Sequence, residues 1–265
     1  MKKKKSLGQH FLKSKAVLTS IRDVSDITAE DIVLEIGPGE GVLTEILLLF
    51  AAKIVAIEKD SRLIPYLQNK FSEQIKSGKF ELLEKDILDF DPEIFEFYDL
   101  PYKVVANIPY YITGQILRMF LQSKKQPESM TLLVQKEVAE RIVAKDKKES
   151  LLSLSVKIYG EPKIVRVVGR GAFSPQPTVD SAVLSIKNIS RKKLLAVKPP
   201  NEEKFFKMLR AGFAHKRKQL LPNLCSLYKK DNLIKFFKSC KIDLKTRAED
   251  LPLETWLKLY NTINR

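Results

Sequence analysis

The stretch Ile32-Val33-Leu34-Glu35-Ile36-Gly37-Pro38-Gly39-Glu40-Gly41 decides the fold of this 265-residue chain. Its first five residues are apolar apart from Glu35, which predicts a buried strand, and the glycines that follow predict a tight turn. The segment from Val42 to Ala52 has the pattern of a helix. A strand, a glycine-rich turn and a helix in this order predict an α/β sheet that binds a ligand at the turn.

Strand-like and helix-like segments alternate along the rest of the first 190 residues, which predicts a parallel α/β sheet. Further strands are predicted at 53–58, 79–86, 102–107, 130–135, 163–168 and 181–186, and helices at 60–70, 114–121 and 136–144. Pro199-Pro200 lies in a charged stretch that predicts a domain boundary, and beyond it the apolar residues keep only a helical spacing. The predicted organisation is a catalytic domain over residues 1–190, a linker over 191–201 and a helical domain over 202–265.

The glycine turn is the first part of a predicted cofactor site. Its spacing is G-x-G-x-G, which differs from the G-x-G-x-x-G that binds a pyrophosphate, so we expect a nucleoside ligand without phosphates at Gly37 and Gly39. Glu58 ends the second strand, where an acidic side chain can accept hydrogen bonds from both ribose hydroxyls. Asp86 ends the third strand and is similarly placed to accept an adenine amine. A plain tight turn and an NAD-linked enzyme are the competing interpretations.

Asn107-Ile108-Pro109-Tyr110 follows the fourth strand, so it is expected at the same edge of the sheet as the glycine turn. The side-chain oxygen of Asn107 and the carbonyl oxygen of Ile108 can each accept a hydrogen bond from an adenine N6 amine, which would localise its lone pair towards a sulfonium methyl group. Pro109 restricts Ile108 to extended conformations. Tyr110 offers an aromatic face to the base. An Asn-containing turn beside a core tyrosine is the structural alternative.

Phe173 begins the proline-rich loop Phe173–Ser181 and is predicted to cover the other face of a flipped base. Its alternative is a buried anchor for the loop.

Positive charge is concentrated at the two ends of the chain. Residues 1–15 hold six lysines and residues 191–265 hold 19 Lys and Arg against 7 Asp and Glu, in a chain of net charge +15. Basic ends around a mildly acidic body predict one part for chemistry and another for binding a polyanion, although solubility alone is the alternative. Lys216, Arg217 and Lys218 follow Phe213 on a predicted helix, and we expect them to bind RNA unless they form a solvated basic face.

The composition argues against several other classes of protein. Two cysteines and two histidines are too few for a disulfide framework or a zinc pattern, so no metal is expected. The longest apolar run, Ile46–Ala52, is far shorter than the ~20 residues that cross a bilayer. Polar residues follow Lys2–Lys5, which argues against a signal peptide. We therefore expect a cytoplasmic monomer with no membrane partner.

Taken together, these motifs resemble those of the KsgA (RsmA) family of rRNA adenine dimethyltransferases. The likeness is carried by Ser6–Leu12, Glu35–Gly41, Glu58, Asp86, Asn107–Tyr110, Phe173–Ser181 and the basic stretch 213–218. The resemblance implies a Rossmann-like S-adenosylmethionine-dependent methyltransferase sheet with a small C-terminal all-helical domain. It also implies that His10, where the family often has Asn, and Leu12 contact the cofactor.

The substrate that the resemblance implies is 16S small-subunit rRNA. Two adjacent adenosines near its 3′ end would become N6,N6-dimethyladenosines, with the immature 30S subunit as the partner and a role in small-subunit biogenesis.

Three other functions share part of this pattern. An erythromycin-type resistance methyltransferase has the same cofactor and N-x-P-Y motifs but modifies large-subunit rRNA, and the basic stretch 213–218 and Arg247–Leu251 favour the KsgA family over it. A DNA adenine methyltransferase would methylate naked duplex. A non-enzymatic assembly factor that binds immature small subunits would keep its function in cells after Asn107→Ala.

Overall fold

The structure is a computed structural model that describes residues 10–93 and 100–264. The run Lys2–Lys5 and the first four residues of the Ser6–Leu12 motif lie outside the described residues. The chain divides into two compact units, one within residues 1–139 and 161–189 and the other within residues 140–160 and 190–265. This division places residues 140–160 with the helical unit, whereas the sequence analysis assigned them to the catalytic domain.

The first unit is built on a mixed sheet. Its described strands are β1 (Phe11–Leu12), β2 (Ile32–Ile36), β3 (Lys53–Glu58), β4 (Phe80–Glu84), β5 (Tyr102–Asn107), β6 (Ser129–Gln135), β7 (Glu161–Val168), β8 (Phe173–Ser174) and β9 (Ser181–Lys187). Seven strands form one sheet in the order β4-β3-β2-β5-β6-β9-β7, and β1 pairs with β8 in a separate two-stranded sheet. The predicted α/β class is confirmed.

The sequence predicts a parallel sheet, but the sheet in the structure is mixed. Strands β2 to β6 pair in parallel, whereas β9 runs antiparallel to both β6 and β7. The chain returns from β7 to β9 through residues 169–180, which contain only a single 3-10 turn and a two-residue strand. A connection without a crossover helix joins antiparallel strands, and this explains the reversed direction of β9.

Helices cover the sheet of the first unit. They are α1 (Lys15–Ser25), α2 (Val42–Leu47), α3 (Ile64–Lys70), α4 (Ser72–Lys76), α5 (Thr113–Gln122) and α6 (Lys136–Val143), whose last residues belong to the second unit. The central strand β2 is buried along its whole length, as expected of a parallel strand with both faces covered. None of the helices in the described part of the chain has the length and apolarity needed to cross a bilayer.

The second unit is helical. It contains α7 (Leu151–Lys157), α8 (Lys192–Leu195), α9 (Glu202–Gly212), α10 (Leu220–Leu224), α11 (Lys230–Cys240) and α12 (Leu253–Ile263). Its core is formed around Trp256 and Phe205, which are fully buried. The predicted linker 191–201 is packed rather than extended, because α8 lies within it and Leu194 is buried.

Lys216, Arg217 and Lys218 lie in the turn between α9 and α10, and the prediction of a helix there was wrong. Helix α9 ends at Gly212, and the Asn223 amide donates hydrogen bonds to the carbonyl oxygens of Gly212 (2.6 Å) and His215 (3.3 Å). These bonds satisfy carbonyls that the end of the helix leaves free, so the chain turns at this point.

Candidate active site

A cavity lies at the carboxyl ends of β2, β3 and β5 in the first unit. Ligands bind open α/β sheets at this edge, outside the carboxyl ends of the strands. Ten of the residues singled out from the sequence line the cavity: His10, Leu12, Gly37, Gly39, Glu58, Asp86, Asn107, Ile108, Pro109 and Tyr110. The structure therefore brings the predicted cofactor residues and the motif Asn107–Tyr110 into one site.

The glycine turn after β2 requires glycine for two reasons. Gly39 has a φ of +59° and Gly41 a φ of +73°, in the left-handed region that other residues rarely adopt. A Cβ on Gly39 would lie 2.9 Å from the ring of Phe11, and one on Gly41 would lie 2.6 Å from the ring of Phe71. The turn thus presents bare backbone to the cavity, as a closely approaching nucleoside requires.

Glu58 joins the end of β3 to the glycine turn. One of its carboxylate oxygens accepts the Gly39 N–H (3.1 Å) and the other accepts the Asp60 N–H (2.8 Å). The side chain is only 6% exposed, and burial raises its pKa against the opposing effect of these backbone hydrogen bonds. Each oxygen keeps a second lone pair, so the carboxylate can still accept from the two hydroxyls of a ribose.

Asp86 follows β4 and is held by two partners. It accepts the Leu88 N–H (3.0 Å) and pairs with Lys59, which the sequence analysis missed although it directly follows Glu58. Burial on its own would raise the pKa of Asp86, but the hydrogen bond from Lys59 lowers it, so the group is a carboxylate. An anionic acceptor at this position suits the exocyclic amine of an adenine.

Glu35 is a second buried carboxyl group that lines the cavity. It is 1% exposed and accepts a hydrogen bond from Thr44 Oγ1 at 2.7 Å. Burial raises its pKa from 4.5 to about 8. No role for Glu35 is predicted from the sequence, although a carboxyl group inside an apolar strand is a signal that the sequence contains.

The amide of Asn107 is held in a defined orientation by the N-terminal segment. Its Nδ2 donates to the carbonyl oxygen of His10 at 3.0 Å, so Oδ1 is the atom left to accept a hydrogen bond from a ligand. Pro109, two residues on, has a φ of −57° and a ψ of 132°, and a 3-10 helix over Tyr110–Ile112 begins directly after it. The Oδ1 acceptor of Asn107 therefore lies next to a stretch of main chain whose conformation Pro109 restricts.

Tyr110 is also held in place. Its hydroxyl shares a hydrogen bond of 2.6 Å with Ser181 Oγ, at the start of β9, and burial raises its pKa. The ring of Tyr110 stacks with the ring of His10 at a centroid distance of 6.0 Å. Tyr110 thus presents a fixed aromatic surface within the cavity.

Phe173 is not among the residues that line the cavity, and its stacking on the target base stays a prediction. The side chain is 3% exposed and belongs to the hydrophobic core with Leu12, Leu18 and Val168. The cause is the pairing of β8 with β1, which sets Phe173 opposite Leu12 and turns the ring into the core. Its alternative interpretation, a buried loop anchor, describes what the structure shows.

The predicted RNA-binding residues form a separate feature in the second unit. Lys216, Arg217 and Lys218 are exposed and line a shallow depression together with His215. We call these four residues the basic turn. Phe213, just before it, stacks on the buried Trp256 at 5.8 Å, which anchors the turn to the core of the unit.

The fold and the site together define an S-adenosylmethionine-dependent methyltransferase. The cavity suits this cofactor because the glycine turn and the carboxylates of Glu58 and Asp86 line it. The sequence model of the ribosomal RNA adenine dimethylase family matches residues 1–265, and the chain belongs to this family.

Relatives with curated names agree with this assignment. A protein of Dehalococcoides mccartyi (strain CBDB1), named ribosomal RNA small subunit methyltransferase A, is 45% identical over 98% of this chain and 88% of its own length. A protein of the same name from Listeria innocua serovar 6a is 41% identical over 97% of this chain and 90% of its own length.

Two solved structures, an rRNA methyltransferase and a dimethyladenosine transferase, have the same fold. The 23S rRNA methyltransferase ErmE is 25% identical with a TM-score of 0.79, and the match covers 96% of this chain and all of ErmE. A dimethyladenosine transferase from Plasmodium falciparum is 27% identical with a TM-score of 0.79, over 94% of this chain and 96% of its own. The predicted Rossmann-like methyltransferase fold is confirmed.

Proposed function

We propose that the protein methylates N6 of two adjacent adenosines near the 3′ end of 16S small-subunit rRNA and produces N6,N6-dimethyladenosines. The observation that carries the proposal is the hydrogen bond from Asn107 Nδ2 to the His10 carbonyl oxygen, which leaves Oδ1 as an acceptor in the cavity. The small-subunit target is supported by the names of relatives that are 45% and 41% identical to this chain.

The residues around the cavity divide into those that hold the cofactor and those that hold the base. S-adenosylmethionine, when bound, supplies a methyl group on a positively charged sulfur. Gly37 and Gly39 would contact it through the main chain, Glu58 would accept from its ribose hydroxyls and Asp86 from its adenine amine. His10 and Leu12 line the same cavity and are proposed as further contacts.

Asn107 and Ile108 would act on the target amine. The lone pair of an adenine N6 is delocalised into the ring, which makes the amine a poor nucleophile. Acceptance of its two hydrogens by Asn107 Oδ1 and the Ile108 carbonyl would draw the nitrogen towards tetrahedral geometry and free the lone pair. No strong general base is required, because the leaving thioether is neutral and the proton can leave after transfer.

The second unit would hold the RNA. The basic turn offers three exposed cations for phosphates, and such contacts provide most of the affinity for a nucleic acid. We propose that the protein acts as a cytoplasmic monomer on the immature 30S subunit, in keeping with a substrate that is part of an assembling ribosome.

Methylation of large-subunit rRNA is the second candidate, because the 23S rRNA methyltransferase ErmE shares the fold over 96% of this chain. The identity to ErmE is 25%, against 45% to the relative named for the small subunit. The difference in identity favours the small-subunit target.

The test is to incubate the protein with radiolabelled S-adenosylmethionine and unmethylated small subunits, and to analyse the nucleosides of the RNA. We expect labelled N6,N6-dimethyladenosine from small subunits, and no label in large subunits or naked duplex DNA. Asn107→Ala should lower the rate by about 10²–10³ and keep its affinity for the cofactor, because one preorganised polar contact is lost. Label in large-subunit RNA, or full activity of Asn107→Ala, would contradict the proposal.

A further inference from the structure

Hydrogen bonds hold the glycine turn from two sides. On one side the Gly39 N–H donates to the carboxylate of Glu58 at 3.1 Å, at the end of β3. On the other side the carbonyl oxygen of Glu40 accepts a hydrogen bond from Lys70 Nζ at 2.8 Å. Lys70 is the last residue of α3 and lies 30 positions from Glu40 in the chain. A long-range contact from a helix therefore reaches the main chain of the turn.

The side chain of Lys70 is fixed by several neighbours. It is only 20% exposed, and its ammonium group lies 2.9 Å from a carboxylate oxygen of Glu45. The same ammonium group lies 5.3 Å from the ring centre of Phe71 and 5.7 Å from that of Tyr66, within the range of a cation–π contact. The ring of Phe71 also packs so closely on the turn that a Cβ on Gly41 would lie 2.6 Å from it. Lys70 and Phe71 thus support the turn together.

The peptide unit between Glu40 and Gly41 is the part of the turn that needs this support. Gly41 has a φ of +73°, and a glycine can change φ at little cost, so the plane of the peptide could rotate. The Gly41 N–H donates to the carbonyl oxygen of Pro38 at 2.9 Å. Because the C=O and the N–H belong to one rigid plane, a rotation would break this bond and the bond from Lys70 together. Lys70 therefore restrains the conformational freedom that glycine gives to the turn.

We propose that Lys70 is a positioning residue for the cofactor, which holds the Glu40–Gly41 peptide in the orientation that binds S-adenosylmethionine. The inference rests on the proposed function and adds a residue that acts from outside the cavity. Glu40 is among the residues that line the cavity, whereas Lys70 is not. A turn that already has its binding conformation need not be ordered when the cofactor arrives. Lys70 would therefore raise the affinity for S-adenosylmethionine without contact with it.

The hydrogen bond to the carbonyl oxygen, and not the ion pair, is the contact that matters for this role. The side chain of Glu45 is 53% exposed, and an ion pair with such a group contributes little. The bond from the ammonium group to the Glu40 carbonyl is charge-assisted and acts directly on the turn. Glu45→Gln should therefore keep the cofactor Kd of wild type.

Substitutions of Lys70 separate the hydrogen bond from the packing of its stem. Lys70→Met keeps an apolar chain beside the rings and loses the donor, whereas Lys70→Arg keeps a charged donor. Lys76→Met is the matched control, because Lys76 is an exposed lysine on the neighbouring helix α4. We would measure the Kd for S-adenosylmethionine by calorimetry, and its KM and kcat with saturating unmethylated small subunits.

Lys70→Met should raise the Kd and the KM for S-adenosylmethionine by about 3- to 30-fold and leave kcat within about twofold of wild type. Lys70→Arg should restore both constants to within about threefold, and Lys76→Met should match wild type. The change is expected in KM and not in kcat, because a saturating cofactor orders the turn in the variant as well.

Hydrogen exchange gives a second readout that needs neither RNA nor turnover. In Lys70→Met without cofactor, the Gly41 amide should exchange faster than in wild type. The Gly37 amide is the internal reference, because it donates to the carbonyl oxygen of Ile57 in β3 at 2.9 Å and should be unaffected. A merely structural role of Lys70 would accelerate exchange at both glycines.

Several outcomes would overturn the inference: an unchanged Kd in Lys70→Met, a fall in kcat with an unchanged KM, or equal acceleration at both glycines. It would also be overturned if Lys70→Arg were as weak as Lys70→Met, or if Glu45→Gln or Lys76→Met had the same effect. Failure of the wild-type protein to methylate small subunits would instead refute the proposed function. The Kd and exchange comparisons do not depend on the RNA substrate, so the two hypotheses can fail separately.

Discussion

The carboxylate of Glu58 orders the glycine turn and, in our proposal, also receives the ribose of the cofactor. Glu58→Ala should raise the Kd for S-adenosylmethionine by about 10- to 100-fold, because a hydrogen bond to a charged group is worth roughly 1.5–3 kcal/mol. Calorimetric titration measures this change directly. Glu84→Ala is the matched control, since Glu84 lies opposite Glu58 in the register of β3 and β4 but is exposed. Equal Kd values for the two variants would contradict the assignment.

The buried carboxyl group of Glu35 makes the stability of the protein depend on pH. Its pKa is raised from 4.5 to about 8, so the folded protein keeps a proton that the unfolded chain releases. The free energy of unfolding should therefore fall by up to a few kcal/mol as the pH rises from about 4.5 to about 8. Glu35→Gln cannot titrate, and its urea denaturation should show a flatter pH dependence over this range. Parallel curves for Glu35→Gln and wild type would refute this explanation.

The positions of single site residues were predictable from the sequence where they depend only on neighbouring residues in the chain. The motif Asn107–Tyr110 follows directly from a strand, and the structure places it at the cavity. The positions of Phe173 and His10 depend instead on the pairing of β1 with β8, which joins parts of the chain far apart in sequence. The pairing decides which way each side chain points, and no local pattern encodes it.

Two glycines near helix ends, one in each unit, differ in how closely their own unit packs around them. A Cβ on Gly212, at the end of α9, would lie 2.4 Å from the buried ring of Trp256, whereas one on Gly114 in α5 would meet nothing within 4 Å. Gly212→Ala should destabilise the protein by about 1–3 kcal/mol, because the indole must move. Gly114→Ala should stabilise it by about 0.5–1 kcal/mol, because alanine favours a helix. Denaturant titration should show these opposite signs, and equal effects would contradict the packing described.

The strands of the sheet were predicted more accurately than their directions. The segments 53–58 and 102–107 are strands with the predicted bounds, because buried apolar runs have a clear period. The reversed direction of β9 and the grouping of residues 140–160 with the second unit are long-range properties of packing. A helix was predicted at the basic turn because lysine and arginine are good helix formers. The hydrogen bond that caps the end of α9 comes from Asn223, which lies in α10 and not in the turn itself.

The charge of the whole protein is +15, and much of it lies in the segment that contains the basic turn. Replacing Lys216, Arg217 and Lys218 together by alanine should weaken RNA binding and flatten the log–log salt dependence by about two units, since each phosphate contact contributes roughly 0.7–0.9. Filter binding over a series of salt concentrations measures both quantities.

The control for the basic turn removes the same charge from another part of the second unit. Lys230, Lys235 and Lys238 are exposed on α11, and their replacement by alanine should leave the salt slope close to that of wild type. An equal loss of slope in both triple variants would show that total charge, and not the basic turn, binds the RNA.

The bond between Tyr110 and Ser181 has a consequence for synthesis of the protein. His10 and Tyr110 both line the cavity. The hydroxyl of Tyr110 is hydrogen-bonded to Ser181, which lies 71 positions further along the chain. A nascent chain therefore cannot complete its active site until β9 has emerged from the ribosome that makes it. Ser181 is residue 181 of 265, so more than two thirds of the polypeptide must be translated before the site can be complete.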